Sequence, residues 1–153
     1  MTMAPHRESR VVAVPAERLF ELVADVERYP EFLPLMRDAT IVGRSENAYE
    51  TQQTLALGLL VHRFRTRTEL NRPRAIRVTS NDRAFSRFEI LWSFSPTPEG
   101  DCRVDFSLDY EVRSFWLKPV GDVLIAPMAL TMVDAFVTRA RKLDAAGDPS
   151  RIG

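Results

Sequence analysis

The chain is short of the residues on which most covalent and metal chemistry rests. Its 153 residues include one cysteine, Cys102, and two histidines, His6 and His62. A lone cysteine excludes an intrachain disulfide, a cysteine-cluster zinc site and an iron–sulfur cluster. The spacings G-x-S-x-G, H-E-x-x-H, G-x-x-x-x-G-K-[ST] and G-x-G-x-x-G do not occur, which removes the serine-hydrolase elbow, the zincin helix, the P-loop and the dinucleotide fingerprint. Net charge is missing too: 21 basic and 21 acidic residues cancel. A body-wide attraction to nucleic acid or membrane is therefore not expected, and DNA is not an expected partner. Lysine is almost absent, with Lys118 and Lys142 the two copies. No apolar run is unbroken, since Asp122, Pro127 and Asp134 interrupt the longest, Val120 to Val137. Each Asp at a bilayer centre would cost about 2.5–3.5 kcal/mol, so this stretch reads as a core helix. Met1 to Arg10 holds no apolar stretch of signal-peptide length, which gives the expectation of a cytoplasmic protein.

What is present is the profile of one globular domain, 45% apolar, 27% charged and 9% aromatic. A chain of this length buries roughly 70% of its unfolded surface and needs neither disulfides nor metals to hold a core. Arg10 to Val14 reads as a first strand. Leu19, Phe20, Val23 and Val26 then fall at helical spacing, with Pro15 in place of a capping side chain. Two prolines four apart, Pro30 and Pro34, limit the next segment to a tight helical turn. Strands are expected over Thr40–Arg44, Tyr49–Leu57, Leu60–Leu70, Ala75–Ser80, Arg87–Ser95 and Arg103–Arg113. The last two show the clearest alternation of apolar with polar residues. Phe115 to Leu143 has a broad apolar helical face, with a kink expected at Pro127. The domain is set at 10–143, between a flexible N-terminus (1–9) and a flexible tail (144–153). A strand, two short helices, six antiparallel strands and one long helix give an α+β helix-grip layout, in which a curved antiparallel sheet of about seven strands wraps the C-terminal helix.

Candidate site residues follow from strand parity. His62 shares its face with Phe64, Thr66, Thr68 and Leu70. It is either a hydrogen-bond donor or base facing a ligand, or a residue satisfied at a strand end. Thr51 and Gln53 share parity with Leu55, so they are either polar groups inside an apolar concavity or wet residues at a frayed edge. Leu124, Met128, Met132 and Phe136 on the helix would face Phe64, Trp92, Phe94, Phe106 and Tyr110 on the sheet. Thioethers and flat rings suit an adaptable cavity and equally suit plain core. Between Arg63 and Arg87 stand eight arginines and two acids. Arg63, Arg65 and Arg67 share the outward face, which is either an RNA contact or a solvated surface paired across strands.

Three segments carry a resemblance. Leu22 to Pro34, containing Asp25-x-x-x-Tyr29-Pro30-x-Phe32-Leu33-Pro34, the Phe88-x-x-x-Trp92-x-Phe94 strand, and Met132 to Ala140 together resemble the coenzyme Q-binding family of START-like domains. That family includes a mitochondrial coenzyme Q chaperone and a bacterial ribosome-association toxin. The resemblance spans about Arg10 to Leu143. It implies a START-like fold with a hydrophobic tunnel between sheet and helix, no enzymatic turnover, no obligatory cofactor, and ubiquinone or another polyprenyl quinone as ligand. It places Tyr29, Phe32, Leu33, Pro34 and Leu35 beside the tunnel mouth. It also implies transient contact with a membrane surface at the inner membrane and, as the alternative to a quinone or lipid ligand, the large ribosomal subunit as partner. An aromatase or cyclase with His62 or Tyr110 as acid/base is a third, weaker reading. Leu35 stands where the family usually has Trp, and Arg83-Ala84-Phe85 replaces a Gly-Pro-Phe turn.

Overall fold

In the computed structural model, which describes residues 5–145, seven antiparallel strands form one sheet in the order β1-β7-β6-β5-β4-β3-β2. The strands are β1 (His6–Val12), β2 (Met36–Ser45), β3 (Ala48–Leu57), β4 (Leu60–Asn71), β5 (Ala75–Thr79), β6 (Phe85–Pro96) and β7 (Cys102–Val112). Between β1 and β2 lie helix α1 (Ala16–Ala24) and a 3₁₀ turn (Val26–Glu31). After β7 come a single 3₁₀ turn (Phe115–Leu117), a π-helical stretch (Val120–Ile125) and helix α2 (Ala126–Ala145).

The alternation read in β6 and β7 sets the inner face. Phe88, Ile90, Trp92 and Phe94 are buried on β6, as are Val104, Phe106 and Leu108 on β7. The sheet is interrupted by register shifts at Met36/Asp38 and Ile41/Gly43 in β2 and at Phe85/Arg87 in β6. Such bulges bend and twist a strand. The concave side receives the buried face of the long helix, Met128, Ala129, Met132, Val133, Phe136, Val137 and Ala140. The helical segment from Phe115 to Ala145 is long and apolar enough to cross a bilayer by composition, but more than half of its most apolar window is buried in the fold.

Two expectations need correction. The first strand begins at His6, so the 1–9 segment is not wholly a flexible arm: His6 to Ser9 pair with Leu108 to Asp105 of β7. Their polar sequence hid an edge strand whose backbone supplies the pairing while only alternate residues are half-buried. At the other end α2 continues through Asp144 and Ala145, and Asp144 accepts from Arg18 Nη1 at 2.5 Å. Residues 146–153 of the expected tail lie outside the described residues. The expected irregularity at Pro127 is taken up one turn earlier. Proline has no N–H to give a carbonyl in the preceding turn and its ring crowds that carbonyl, and the wide π-helical turn at Val120–Ile125 ends just before it.

Helix α1 starts on Pro15 with no side-chain cap, as expected, and its end is closed from a distance. The Tyr29 hydroxyl donates to Val23 O, and the Tyr49 hydroxyl donates to Ala24 O at 2.7 Å. These bonds satisfy carbonyls that a helix end leaves without partners. Burial pushes the Tyr49 phenol up to about 12 and that of Tyr29 well above its ordinary value, so both remain donors.

Candidate functional site

Sheet and helix enclose a cavity lined by Val26, Tyr29, Met36, Gln53, Phe64, Thr66, Thr68, Val78, Phe88, Ile90, Trp92, Met128 and Met132. Its free volume is about 20 Å³, space for about one water molecule. The lining is largely apolar, and its polar members come from β3 and β4. Thr51 Oγ1 and Thr66 Oγ1 are 2.5 Å apart, and Gln53 Nε2 donates to them at 3.0 and 3.2 Å. Only one hydroxyl hydrogen fits between the two threonine oxygens, so the other hydroxyl remains able to donate. Thr68 stands opposite Tyr49 across the β3–β4 pair. Parity explains this cluster: once Leu55 faces inward, Gln53 and Thr51 must too, and β4 places Thr66 opposite Thr51.

The predicted residues divide into four groups, the last being His62 and Tyr110. Tyr29, Gln53, Phe64, Trp92, Met128 and Met132 meet at the cavity. Phe94, Phe106, Leu124, Phe136 and Leu33 are buried behind that lining. Phe136 is the hub of this layer, with ring centroids 5.2 Å from Tyr29, 5.0 Å from Phe32 and 5.3 Å from Trp92. The third group closes the rim. Phe32 and Leu35 are half-buried against the core and Pro34 is exposed. Arg139 lies 5.3 Å from the Phe32 ring centroid and pairs with Glu31 at 2.5 Å, clamping this segment onto α2. Leu35 is held from the sheet side, its carbonyl accepting from Ala56 N at 2.9 Å.

His62 and Tyr110 are on the inner face but outside the cavity. The His62 ring stacks on Phe64 at 6.0 Å and meets the edge of Phe85 at 6.1 Å, and its Nε2 is buried without a hydrogen-bond partner. Tyr110 donates to Gly121 O at 3.1 Å. Neither ring is among the residues that line this cavity. Burial holds the His62 pKa below its ordinary 6.5, partly opposed by Asp82. The unfolded chain therefore binds a proton that the folded one resists, so His62 favours the fold above about pH 6.5 and this contribution fades as pH falls toward the lowered folded value. Urea unfolding on either side of that range should show His62→Phe losing less stability in acid than the parent. Equal losses would show that His62 does not contribute.

Sequence reasoning passed over Val26, Met36, Val78, Phe88 and Ile90 as lining residues. Phe88 and Ile90 carried the signal, sharing parity with Trp92. Met36 did not, because the register shift beside it breaks the alternation.

On the opposite face, Arg63, Arg65 and Arg67 form the expected outward stripe. They do not behave alike. Arg67 lies 4.0 Å from Glu50 and 3.6 Å from Glu69. Elsewhere in the arginine-rich segment Arg77 pairs with Glu89 at 2.7 Å and Arg87 with Asp109 at 3.0 Å, so much of the local excess is answered across strands. Among the described residues, the guanidinium groups of Arg63 and Arg65 have no carboxylate partner, although the Arg65 backbone N–H donates to Asp82 Oδ2 at 3.3 Å.

Comparison with known proteins agrees with this architecture. The family described as "Polyketide cyclase / dehydrase and lipid transport" matches residues 12–137. The ribosome association toxin RatA of Pseudomonas aeruginosa is 34% identical over 142 residues, covering 92% of this chain and 99% of that protein. The mitochondrial coenzyme Q-binding protein coq10 of Schizosaccharomyces pombe is 25% identical, covering 89% of this chain and 86% of that one. The crystal structure of the Zhui aromatase/cyclase from Streptomyces sp. R1128 superposes with a TM-score of 0.81 over 95% of this chain and 98% of that one; at 13% identity the likeness is one of fold. With its sheet wrapped on α2 and its profile match running from the end of β1 into α2, the chain belongs to the polyketide cyclase / dehydrase and lipid transport family, in its START-like branch with RatA and coenzyme Q-binding relatives.

Proposed function

We propose that this chain is a non-catalytic carrier of a hydrophobic ligand with a carbonyl-bearing head, a polyprenyl quinone such as ubiquinone, serving respiratory electron transport or quinone biosynthesis. The observation that carries this reading is the hydrogen-bonded Thr51–Gln53–Thr66 cluster, which sets the polar side chains of Gln53 and Thr66 in a largely apolar lining. A few placed polar groups in an apolar cavity orient a ligand, while the apolar walls hold it. Each buried methylene of an isoprenoid tail contributes about 0.8 kcal/mol. Met128 and Met132, unbranched and adaptable, are the lining side chains able to yield space at least strain. The cyclase reading has no such support, since neither His62 nor Tyr110 lines the cavity.

Native mass spectrometry of the freshly purified chain, before and after addition of a short-tailed ubiquinone, tests the proposal. Bound quinone is expected in the parent, with roughly five- to tenfold weaker uptake by Thr66→Val, the loss of about one hydrogen bond. No quinone before or after addition would overturn it.

A second reading has its own observation: near full-length identity of 34% to a protein named for ribosome association, together with the unpaired Arg63 and Arg65. On this reading the outer face of β4 meets the phosphates of the large ribosomal subunit. Co-sedimentation with that subunit should weaken as salt rises and disappear in Arg63→Glu/Arg65→Glu. Unchanged sedimentation of the double variant would remove the stripe from the interface.

A further inference from the structure

One end of the molecule exposes apolar side chains that the fold does not use. The β3–β4 hairpin closes through Gly58 and Leu59, with Leu57 opposite Leu60. Gly58 has φ +59, and no other residue of the turn has positive φ. A two-residue turn of this kind requires glycine at its first position and leaves the second open to any polar residue. Leucine stands there, fully exposed, between the exposed Leu57 and Val61. A second projection follows β7. In the 3₁₀ turn Phe115–Leu117, Leu117 packs on the core while Phe115 and Trp116 are 79% and 85% exposed. Their ring centroids lie 6.2 Å apart.

Both projections leave the same end of the sheet. His62, one residue beyond Val61, touches Phe85 across the inner face. Arg113 N donates to Ala84 O at 2.8 Å, and its guanidinium reaches Arg83 O at 3.1 Å and Phe85 O at 3.2 Å, two residues before Phe115. The rim has a basic excess: the side chains of Arg63 beside the hairpin, and of Arg83 and Arg113 beside the aromatic turn, have no carboxylate partner among the described residues, while Asp82 in the same loop is engaged by the backbone N–H groups of Arg65 and Ala84 at 3.3 and 3.0 Å. Lys118 is held by Asp122 at 2.6 Å.

We propose that this end is a membrane-docking surface for an anionic phospholipid bilayer, with Leu59, Phe115 and Trp116 inserting between headgroups and Arg63, Arg83 and Arg113 meeting lipid phosphates. The chemistry matches an interface on three counts. Tryptophan and phenylalanine beside arginine favour the boundary between headgroup and acyl chain. Separate convex tips enter a fluid surface more readily than they mate with a rigid protein face, which needs continuous complementary area. The unpaired cations are complementary to anionic lipid. Phe85, Phe64, Phe88 and His62 stack between this end and the cavity. A lipid ligand taken from the bilayer would pass that stack, a clause that alone rests on the quinone reading; the docking stands on the surface.

The full chain, without quinone, is sedimented with vesicles of phosphatidylcholine alone and of phosphatidylcholine containing phosphatidylglycerol. The parent is expected to bind the anionic vesicles preferentially, and Leu59→Ser/Phe115→Ser/Trp116→Ser to bind them roughly tenfold or more weakly. Arg63→Glu/Arg83→Glu should lose the preference for phosphatidylglycerol. Brominated lipid should quench the exposed Trp116 and spare the buried Trp92, whose unchanged emission also certifies folding of the variants. A parent that stays in the supernatant, or a triple variant that binds like the parent, overturns the proposal. So does a triple variant that changes only the self-association of the chain, which would assign these side chains to a protein contact. Quinone uptake in solution is read separately, so either result can fail alone.

Discussion

Phe136→Ala should cost the fold about 3–5 kcal/mol, the range for emptying an aromatic core position. At roughly 2–4 °C per kcal/mol for a domain of this size, the midpoint of thermal unfolding should drop by about 6–20 °C. The size of the effect comes from what the ring joins. It is 1% exposed and makes edge contacts with Tyr29 and Phe32 of the proline segment and Trp92 of β6. Its loss therefore loosens α2 from both the sheet and the rim. Phe136→Leu should recover much of the stability, because most of the volume returns. Calorimetry showing Phe136→Ala within a degree or two of the parent would mean that the surrounding rings close over the gap.

Met132→Ala should also be costly, about 2–5 kcal/mol, but should raise ligand uptake. Met132 is 3% exposed and lines the cavity, whereas Phe136 stands behind the lining. Truncation of Met132 adds its volume to the space where a quinone head would sit. Occupancy by a short-tailed ubiquinone, measured by native mass spectrometry at a temperature where the variant is fully folded, should rise above the parent. Met132→Arg should abolish occupancy, because an unpaired cation would be buried in that space. Equal occupancy in the parent and both variants would place the ligand elsewhere.

The residue pattern foretold much of this molecule. β6 and β7 are legible because one face is buried and one is wet, so Phe88, Ile90, Trp92 and Phe94 alternate with polar or exposed neighbours. β1 was partly illegible because His6 to Ser9 are polar and their role is backbone pairing at a sheet edge, which leaves little trace in hydrophobicity. The inward direction of Gln53 and Thr51 could be read from Leu55, while their bonding to Thr66 required the β3–β4 register. His62 shows the limit of parity: it points inward as its strand dictates, yet Phe64 stands between it and the cavity. Parity fixes a face and leaves depth unspecified. The arginine stripe shows the same limit for charge: Arg67 has Glu69 two residues on along its own strand, which the sequence shows, but Glu50 reaches it only through the β3–β4 register.

The small free volume has a consequence for time rather than affinity. A cavity of about 20 Å³ admits no quinone ring until Met128 and Met132 change rotamer or α2 shifts from the sheet. Binding then draws on a minor open population, and the apparent dissociation constant exceeds the intrinsic one by the inverse of that population. The observed association rate should rise with ligand concentration only until it reaches the frequency of opening, and then level off. On the quinone reading, a cargo once enclosed departs no faster than the same opening allows, so the packing of the two methionines puts an upper limit on its release rate.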